Sequence, residues 1–247
     1  MNYKFVYDTD FLEKNCLYLS EEEIEVVFAT IVGKHNAIFY GYKPERLIEA
    51  IKKLTSYYPF VEISNLSTIE DDLHKSKGGI LYMKDFDSWS LIDQQFLYSH
   101  SVNDVERCCQ FITTTIHNPL DTVVPDMINN FDIIYMCKEG NEQQLFKKYL
   151  ADKLRFVSEY HNSLHSGRYV TSTELELDNY WLRDDAYSYL CERGKENPVI
   201  ARKVSMVSRS ISDCRRHSLT RLDDIYTAER LCGVHRAVDM SALEGLW

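Results

Sequence analysis

The chain has 247 residues, of which 45% are hydrophobic and 27% are charged, and its formal net charge is −10. This composition is ordinary for a globular protein and excludes a disordered chain, while the length fits one large domain or a core of about 150 residues with a smaller appendage. The negative charge opposes non-specific binding to nucleic acid and to anionic lipid.

Cysteine usage and the length of the apolar stretches indicate the compartment. The seven cysteines include no C-x-x-C pair, and no secretory leader is recognised, so neither a disulfide framework nor a zinc site is predicted. The apolar stretches are strand-sized and well short of the roughly 20 residues that cross a bilayer. We therefore expect a cytoplasmic protein with reduced thiols, no metal and no membrane contact.

Helix and strand signals alternate through the first 140 residues. A capping box at Ser20 and Glu23 opens a helix whose apolar residues share one face. Strands are then predicted at 36–41, 60–64, 79–83, 111–116 and 131–136, with helices at 44–57, 69–76 and 91–98. Strands that alternate with helices predict a parallel sheet covered on both faces.

Beyond Gly140 only helical patterns appear. They cover residues 141–161, 178–193, 198–214 and 222–232, and Gly233 stands where a helix C-terminal glycine belongs. The chain is therefore predicted to have an α/β core over residues 1–165 and a small all-α lid over residues 166–247.

A phosphate-binding loop is missing between the first strand and its helix. A nucleotide hydrolase carries G-x-x-x-x-G-K-S/T at this point. Counting from Gly41 as the first glycine, the second falls on Arg46, the lysine on Leu47 and the hydroxyl residue on Ile48. All three key residues are lost.

Four short motifs occur in the same order along this chain as in a known protein family. Residues 33–36 read G-K-H-N, residues 79–85 read G-I-L-Y-M-K-D, residues 115–119 read T-I-H-N-P and residues 129–132 read N-N-F-D. From about Glu21 to Leu231, they resemble the magnesium-chelatase-like branch of AAA+ ATPases, where the motifs read G-x-H-N, G-V-L-F-L-D-E, M-N-P and D-R-F-D.

The resemblance implies an AAA+/P-loop-like sheet with a helical lid and altered chemistry. The glycine-rich loop, or Walker A motif, is lost. In the altered Walker B strand, Lys84 replaces the magnesium-associated aspartate and Asp85 replaces the catalytic glutamate, while Asn118 matches the sensor asparagine. The inter-subunit arginine is absent, and Val199 falls at the lid's nucleotide-sensing arginine unless a short shift brings Arg202 there.

The resemblance implies a remnant nucleotide pocket with no catalytic residue and no metal ligand. Phosphate loops work because backbone N–H groups close on the phosphates, whereas here Pro44 lacks an N–H and Glu45 adds negative charge. Asp85 can alternatively be a capping or solvated carboxylate, and Asn118 a turn residue before proline. The pocket residues are Gly41, Lys43, Arg46, Asp85 and Asn118.

A basic stretch near the C-terminus has two interpretations. It is either a nucleic-acid footprint or the solvated face of a helix, and the second is favoured because interleaved aromatic residues are missing. Its members are Arg202, Lys203, Arg209, Arg215, Arg216 and Arg221.

The main hypothesis is a pseudo-ATPase that serves as an interaction or regulatory module. It expects no cofactor, and its partner is another protein, either an AAA+ relative or a second copy of this chain. One alternative is an active ATPase that binds ATP and Mg²⁺ through an unconventional loop with Lys43 or Arg46. A second alternative is a DNA-associated accessory protein.

Overall fold

The computed structural model describes residues 19–55, 58–103, 109–139, 182–215 and 217–233. These residues fall into two compact units, an α/β unit within Leu17–Leu145 and a helical unit in the C-terminal part of the chain. The predicted domain boundary at 165 and the predicted helix at 141–161 lie outside the described residues.

The α/β unit contains five strands and the helices between them. The strands are β1 (Ala37–Gly41), β2 (Phe60–Ile63), β3 (Ile80–Met83), β4 (Gln110–Thr115) and β5 (Ile133–Cys137). The helices are α1 (Glu21–Val32), α2 (Glu45–Leu54), α3 (Ile69–Lys75), α4 (Leu91–Asn103), α5 (Pro119–Thr122) and α6 (Pro125–Ile128), with a 3-10 turn at Phe86–Ser88.

All five strands are parallel and lie in the order β2-β3-β4-β1-β5. The side chains of β3 are buried on both faces, as are those of β1 up to Tyr40, which is the pattern of a parallel sheet covered by helices. The predicted α/β fold class is therefore confirmed: the chain has a parallel sheet flanked by helices, followed in sequence by a unit in which the described residues form three helices.

The start of α1 follows directly from its sequence. The Ser20 hydroxyl accepts from the N–H of Glu23 at 3.2 Å, and the Glu23 carboxylate accepts from the N–H of Ser20 at 2.7 Å, so the predicted capping box is confirmed. Behind it, the predicted apolar face is buried, which fixes the side of α1 that packs inward.

Some element bounds differ from the sequence predictions. Helix α2 begins at Glu45, because Pro44 serves as its N-cap, and α4 extends past residue 98 to Asn103. The one-turn helices α5 and α6 had not been predicted, since four residues are too few to show a helical period. Each begins with proline, whose fixed φ suits the first helical position.

The helical unit consists of α7 (Asp184–Glu196), α8 (Pro198–Cys214) and α9 (Leu222–Leu231). The helical pattern at 198–214 predicts one apolar stripe, which is buried at Val204, Val207, Ile211 and Cys214 and only partly buried at Ile200. Gly233 follows α9 with a φ of +76°, as a helix C-terminal glycine does. Among the residues that the structure describes, no helix combines the length and apolarity that a membrane span needs.

Candidate functional site at the carboxyl end of the sheet

The fold brings the predicted pocket residues to one edge of the sheet. Strand β4 lies between β3 and β1, so the segments that follow these three strands are neighbours. Ligands of open α/β sheets bind at this edge. Gly41, Lys43 and Arg46 end or follow β1, Asp85 follows β3, and Asn118 follows β4.

Helix α2 occupies the place of a phosphate loop. Only three residues, Tyr42 to Pro44, connect β1 to this helix. The positions of the second glycine, the lysine and the hydroxyl residue are consequently helical. At the latter two, Leu47 and Ile48 are buried in the core.

Two backbone N–H groups at this connection donate hydrogen bonds to carbonyls of the chain. The N–H of Tyr42 donates to the carbonyl of Cys137 at 2.9 Å, and the N–H of Arg46 donates to the carbonyl of Lys43 at 3.2 Å. Pro44 has no N–H to offer. A phosphate cradle needs several N–H groups directed at one point, and Tyr42, Pro44 and Arg46 have none to contribute.

Gly41 is required by its contact with the neighbouring strand. Its φ is +93°, and a Cβ atom at this position would lie 2.6 Å from the carbonyl oxygen of Cys137 in β5. L residues rarely adopt such a φ, and the contact leaves no room for a methyl group. The glycine therefore serves the β1–β5 pairing, whether or not a ligand binds nearby.

Arg46 pairs with a carboxylate of α1. Its Nη2 atom lies 2.9 Å from Oε1 of Glu23, whose side chain is 6% exposed. Its Nε also donates to the carbonyl of Lys43 at 3.3 Å. Glu23 uses its other oxygen in the capping box with Ser20. Arg46 thus ties α2 to α1.

Tyr42 and Cys137 complete the surroundings of this ion pair. The Lys43 Nζ atom lies 4.9 Å and the Arg46 Cζ atom 5.8 Å from the centre of the Tyr42 ring. Burial raises the pKa of the Cys137 thiol to about 12, and the negative charge of Glu23 acts in the same direction. The thiol is therefore neutral and unreactive at ordinary pH.

Acidic groups surround the phenol of Tyr82 at the same edge. Burial raises the pKa of Tyr82 to about 12, against the effect of its 2.9 Å hydrogen bond with Thr114 Oγ1. The carboxylates of Glu45, Glu62 and Asp85 raise this pKa further. Three carboxylates thus act on the phenol of Tyr82 near the carboxyl end of β3.

Asp85 itself lies in a left-handed backbone conformation with a φ of +47°. It precedes the 3-10 turn, its N–H donates to Thr114 Oγ1 at 3.4 Å, and its side chain is partly exposed. The preceding residue, Lys84, is exposed. The two positions that the resemblance assigns to a Walker B motif therefore carry one exposed cation and one partly exposed carboxylate.

An Asp87–His117 pair joins the ends of β3 and β4 and had not been predicted. The Oδ2 atom of Asp87 accepts from the N–H groups of Ile116 and His117 at 3.1 and 3.0 Å and lies 2.9 Å from His117 Nδ1. Burial alone would raise the pKa of Asp87, but these hydrogen bonds outweigh it and hold the pKa below its usual value. Asp87 lies two residues after Asp85, but its contact with His117 joins residues 30 positions apart and could not be predicted from local sequence spacing.

The side chain of Asn118 caps a helix. Its Oδ1 atom accepts from the N–H of Leu120 at 3.3 Å, and its carbonyl accepts from the hydroxyl of Thr122 at 3.1 Å. These are the contacts of an N-cap residue. The sensor role of Asn118 stays a prediction.

The G-x-H-N motif lies at the opposite end of the strands. Asn36 donates from Nδ2 to the carbonyl of Asn130 at 3.0 Å and accepts at Oδ1 from the N–H of Phe111 at 2.9 Å. Asp132 accepts from the N–H of Asn36 at 3.3 Å and lies 3.5 Å from His35 Nδ1. This buried network fastens the amino ends of β1, β4 and β5 together.

The basic stretch is partly neutralised within the helical unit. Arg209 pairs with Asp213 at 2.9 Å, and Arg215 pairs with Asp224 at 3.2 Å. Arg202 and Arg221 are exposed and Lys203 is partly exposed, while Arg216 lies outside the described residues.

One group of residues in this unit has the composition of a metal site. Ligand atoms of His217, Asp223 and Asp224 lie within 4.8 Å of one another. Asp224, however, accepts from the N–H of Arg221 at 2.9 Å, contacts His217 Nδ1 at 2.8 Å and pairs with Arg215. Because protein donors already satisfy this buried carboxylate, the group joins α8 to α9 and is not assigned as a metal site.

Comparisons with known proteins leave the family of this chain open. No protein-family model matches, and no curated protein matches. Among solved structures, the chain is similar to two single-substitution variants of RuvB from Thermotoga maritima, with 12% and 13% identity and TM-scores of 0.37 and 0.40. The matches cover 85% of this chain and 67% and 68% of those chains. TM-scores this low do not establish a common fold, so the α/β fold class is assigned from the strand order and the flanking helices of this chain.

Proposed function

We propose that this chain is a degenerate AAA+-like protein of the magnesium-chelatase-like type, which acts as an interaction or regulatory module and turns over no nucleotide. The observation that carries the proposal is in helix α2, where Arg46 pairs with Glu23 and the next two residues, Leu47 and Ile48, are buried in the core. The groups that would bind phosphate are replaced by groups that stabilise the fold.

The residues at this edge do not fit ATP and Mg²⁺. The N–H groups of Tyr42 and Arg46 already donate within the chain, Pro44 has none, and the Arg46 side chain is held by a carboxylate. Glu45, Glu62 and Asp85 place negative charge around the phenol of Tyr82 at this edge, and like-charge repulsion would disfavour a phosphate there. Phosphoryl transfer depends on positioning and on charge neutralisation, so we assign no catalytic step.

The partner class is proposed by analogy with the family that the motifs resemble. It is another protein, either an AAA+ relative or a second copy of this chain. The nucleic-acid alternative gains no support from Arg209 and Arg215, since each already pairs with a carboxylate. A steep dependence of DNA affinity on salt would favour that alternative.

Calorimetric titration with ATP and Mg²⁺, repeated with ADP, tests the proposal. We expect no binding at millimolar nucleotide. Micromolar binding that is lost in Lys43→Ala or Arg46→Met would contradict the proposal and favour an active ATPase with an unconventional loop.

A core variant supplies a second test. Leu47 is fully buried, so Leu47→Ala is expected to cost about 2–5 kcal/mol of unfolding free energy and to change no nucleotide-dependent activity. Loss of an ATP turnover by a folded Leu47→Ala protein would contradict the proposal, because it would place this position at a working site.

A further inference from the structure

The Asp87–His117 pair combines a buried carboxylate with an exposed imidazole. The side chain of Asp87 is 3% exposed, whereas that of His117 is 72% exposed. The Oδ2 atom of Asp87 lies 2.9 Å from Nδ1 of His117 and also accepts from two backbone N–H groups, those of Ile116 and His117. The backbone thus fixes the carboxylate, and the carboxylate holds one nitrogen of a ring that is otherwise largely open to solvent.

The contact with Asp87 determines which nitrogen of His117 carries the proton. Although burial acts in the opposite direction, the hydrogen bonds hold the pKa of Asp87 below its usual value, so the carboxylate is ionised at neutral pH and can only accept. The Nδ1 atom of His117 must therefore donate, which leaves the lone pair of the neutral ring on Nε2. A carboxylate partner on one ring nitrogen also orients the imidazole and makes the other nitrogen more basic.

The second nitrogen of this ring is accessible to a ligand. Within the part of the chain that the structure describes, no hydrogen bond involves Nε2 of His117. The ring follows β4 at the carboxyl end of the sheet, where open α/β sheets bind their ligands. An imidazole that a carboxylate orients, with its other nitrogen unengaged, is the arrangement of histidines that act as bases or nucleophiles.

The two segments that form the pair carry carboxylates and lack cations. Residues 86–103 and 109–132 contain five aspartates and no lysine or arginine, and the nearest cation in sequence, Lys84, is followed directly by Asp85. Proteins hold phosphoryl groups with cations, and carboxylates repel them, so these segments disfavour a phosphoryl donor. An acyl donor needs no such charge, and Ile116, next to His117 in sequence, offers an apolar side chain that is 65% exposed. The segments therefore favour an uncharged acyl donor.

We infer that His117 is a modification site, which takes an acyl group on Nε2 from an activated ester or thioester while Asp87 positions the ring. The Nε2 lone pair attacks the carbonyl carbon, an N–C bond forms, and the bond from that carbon to the leaving oxygen or sulfur breaks. The leaving group departs as an anion with the electron pair of the broken bond. The acylated ring keeps its proton on Nδ1 and becomes a cation, which the Asp87 carboxylate stabilises. No nucleotide takes part, so the inference goes beyond the proposed function and does not depend on it.

The first test is acylation of the full chain with a limiting amount of diethyl pyrocarbonate, an uncharged acyl donor. Peptide mass spectrometry follows His117 and His74, an exposed histidine of α3 whose ring makes no hydrogen bond with the described residues. At about pH 8, above the ordinary pKa of an imidazole, His117 is expected to react about tenfold faster or more, which is the scale of effect of an orienting partner. Equal rates would overturn the inference, since exposure alone would then set the reactivity.

Nitrogen NMR of the histidine rings supplies a readout that packing alone would not change. Neutral His117, identified by the loss of its signals in His117→Gln, is expected to carry its proton on Nδ1, whereas His74 is expected to populate both tautomers. A proton on Nε2 of His117 would overturn the inference, because that nitrogen would then have no lone pair.

Variants isolate the role of the carboxylate. Asp87→Asn removes the charge and keeps an acceptor oxygen, so it is expected to slow the acylation of His117 and to leave that of His74 unchanged. Asp126→Asn removes a charge from an exposed position and is expected to change neither rate. Unchanged acylation of His117 in a folded Asp87→Asn protein would contradict the positioning role of Asp87, and the two measurements on the unchanged chain decide the inference if this variant does not fold.

A phosphoryl donor tests the assigned chemistry. Phosphoramidate, a small phosphoryl donor, is expected to show no preference for His117 over His74, because the segments around the pair offer carboxylates and no lysine or arginine. A clear preference for His117 would overturn the assignment of an acyl donor.

Discussion

The Nη2 atom of Arg46 lies 2.9 Å from the Oε1 atom of Glu23, and this ion pair joins the second helix of the chain to the first. Arg46 stands where a phosphate loop has its second glycine, a residue chosen for its lack of a side chain. Here the position carries a long cation that is bound to an internal carboxylate. In this chain the position therefore serves to pack α1 against α2.

Removing this cation should destabilise the protein. Arg46→Met leaves the carboxylate of Glu23 buried without its ionic partner, and we expect a loss of about 1–3 kcal/mol in the free energy of unfolding measured with urea. Lys75→Met is the control, because Lys75 is mostly exposed where it pairs with Asp72, and such pairs contribute about 0.5 kcal/mol. Equal losses in the two variants would show that the Arg46 pair is no more than a surface contact.

Gly41 gives a second prediction, with Gly194 as its counterpart. Gly41→Ala forces an alanine to a φ of +93° and its methyl group towards the carbonyl of Cys137, so we expect a loss of about 1–3 kcal/mol in stability. Gly194→Ala places a methyl group in α7 with its nearest neighbour 3.9 Å away, and we expect a gain of up to about 1 kcal/mol. Thermal unfolding of both variants checks the opposite signs. A Gly41→Ala protein as stable as the unchanged chain would mean that the β1–β5 edge relaxes freely.

The sequence was sufficient for the strands and the longer helices that the structure describes, but not for the one-turn helices or for the contacts between elements. Alternating strand and helix patterns, the Ser20–Glu23 capping box and Gly233 depend on local order, and each was confirmed. The Glu23–Arg46 and Asp87–His117 pairs join residues 23 and 30 positions apart. Their formation depends on which strands and helices are neighbours, and periodicity does not give the order β2-β3-β4-β1-β5.

The candidate site illustrates the same limit. The absence of a G-x-x-x-x-G-K-S/T motif after Gly41 can be read from the sequence, because it depends only on residue identity. The roles of the remaining groups are not, since Asn118 and Arg46 have side chains that suit either a ligand or an internal partner. In the fold, Asn118 caps α5 and Arg46 meets Glu23. The pocket assignment of Gly41, Lys43, Arg46, Asp85 and Asn118 stays a prediction.

Two asparagines should differ in their effect on stability. Asn36→Ala removes the hydrogen bonds that its side chain makes with the N–H of Phe111 and the carbonyl of Asn130, and we expect a loss of about 2–4 kcal/mol. Asn118→Ala removes one capping contact, for which about 1 kcal/mol is expected. Urea unfolding of both variants measures the difference. A larger loss for Asn118→Ala would indicate that the end of β4, not the amino ends of the strands, limits stability.

The lowered pKa of Asp87 predicts that the stability of the fold depends on pH. Its pKa in the folded protein lies below the ordinary value of 3.8, so its ionised form stabilises the fold. This contribution is present above the ordinary value and is lost as the pH falls through the lower pKa of the folded state. The free-energy difference between the unchanged chain and Asp87→Asn should therefore shrink as the pH falls below the ordinary value of 3.8.

Melting temperatures measured between about pH 7 and about pH 3 check this prediction. Asp126→Asn is the control, since it removes the same charge from an exposed position and is expected to change stability by less than about 0.5 kcal/mol. A difference for Asp87→Asn that grows on acidification would have the wrong sign and would contradict the hydrogen bonds from Ile116 and His117.

Cysteine reactivity tests the packing beside the Glu23–Arg46 pair. Cys137 is buried with a pKa of about 12, whereas Cys191 is exposed on α7. Since the thiolate is the reacting form, and only roughly one Cys137 in ten thousand is ionised at about pH 8, iodoacetamide should modify Cys191 first and leave Cys137 unmodified in the native protein. Mass spectrometry of the labelled peptides gives the order, and urea-unfolded protein, in which both cysteines react, is the control. The carbonyl of Cys137 also accepts a hydrogen bond from the N–H of Tyr42. Rapid labelling of Cys137 in the native protein would therefore mean that β5 separates from the connection after β1. The N–H of Tyr42 would then no longer be held within the chain, which would contradict the proposed reason why this connection binds no phosphate.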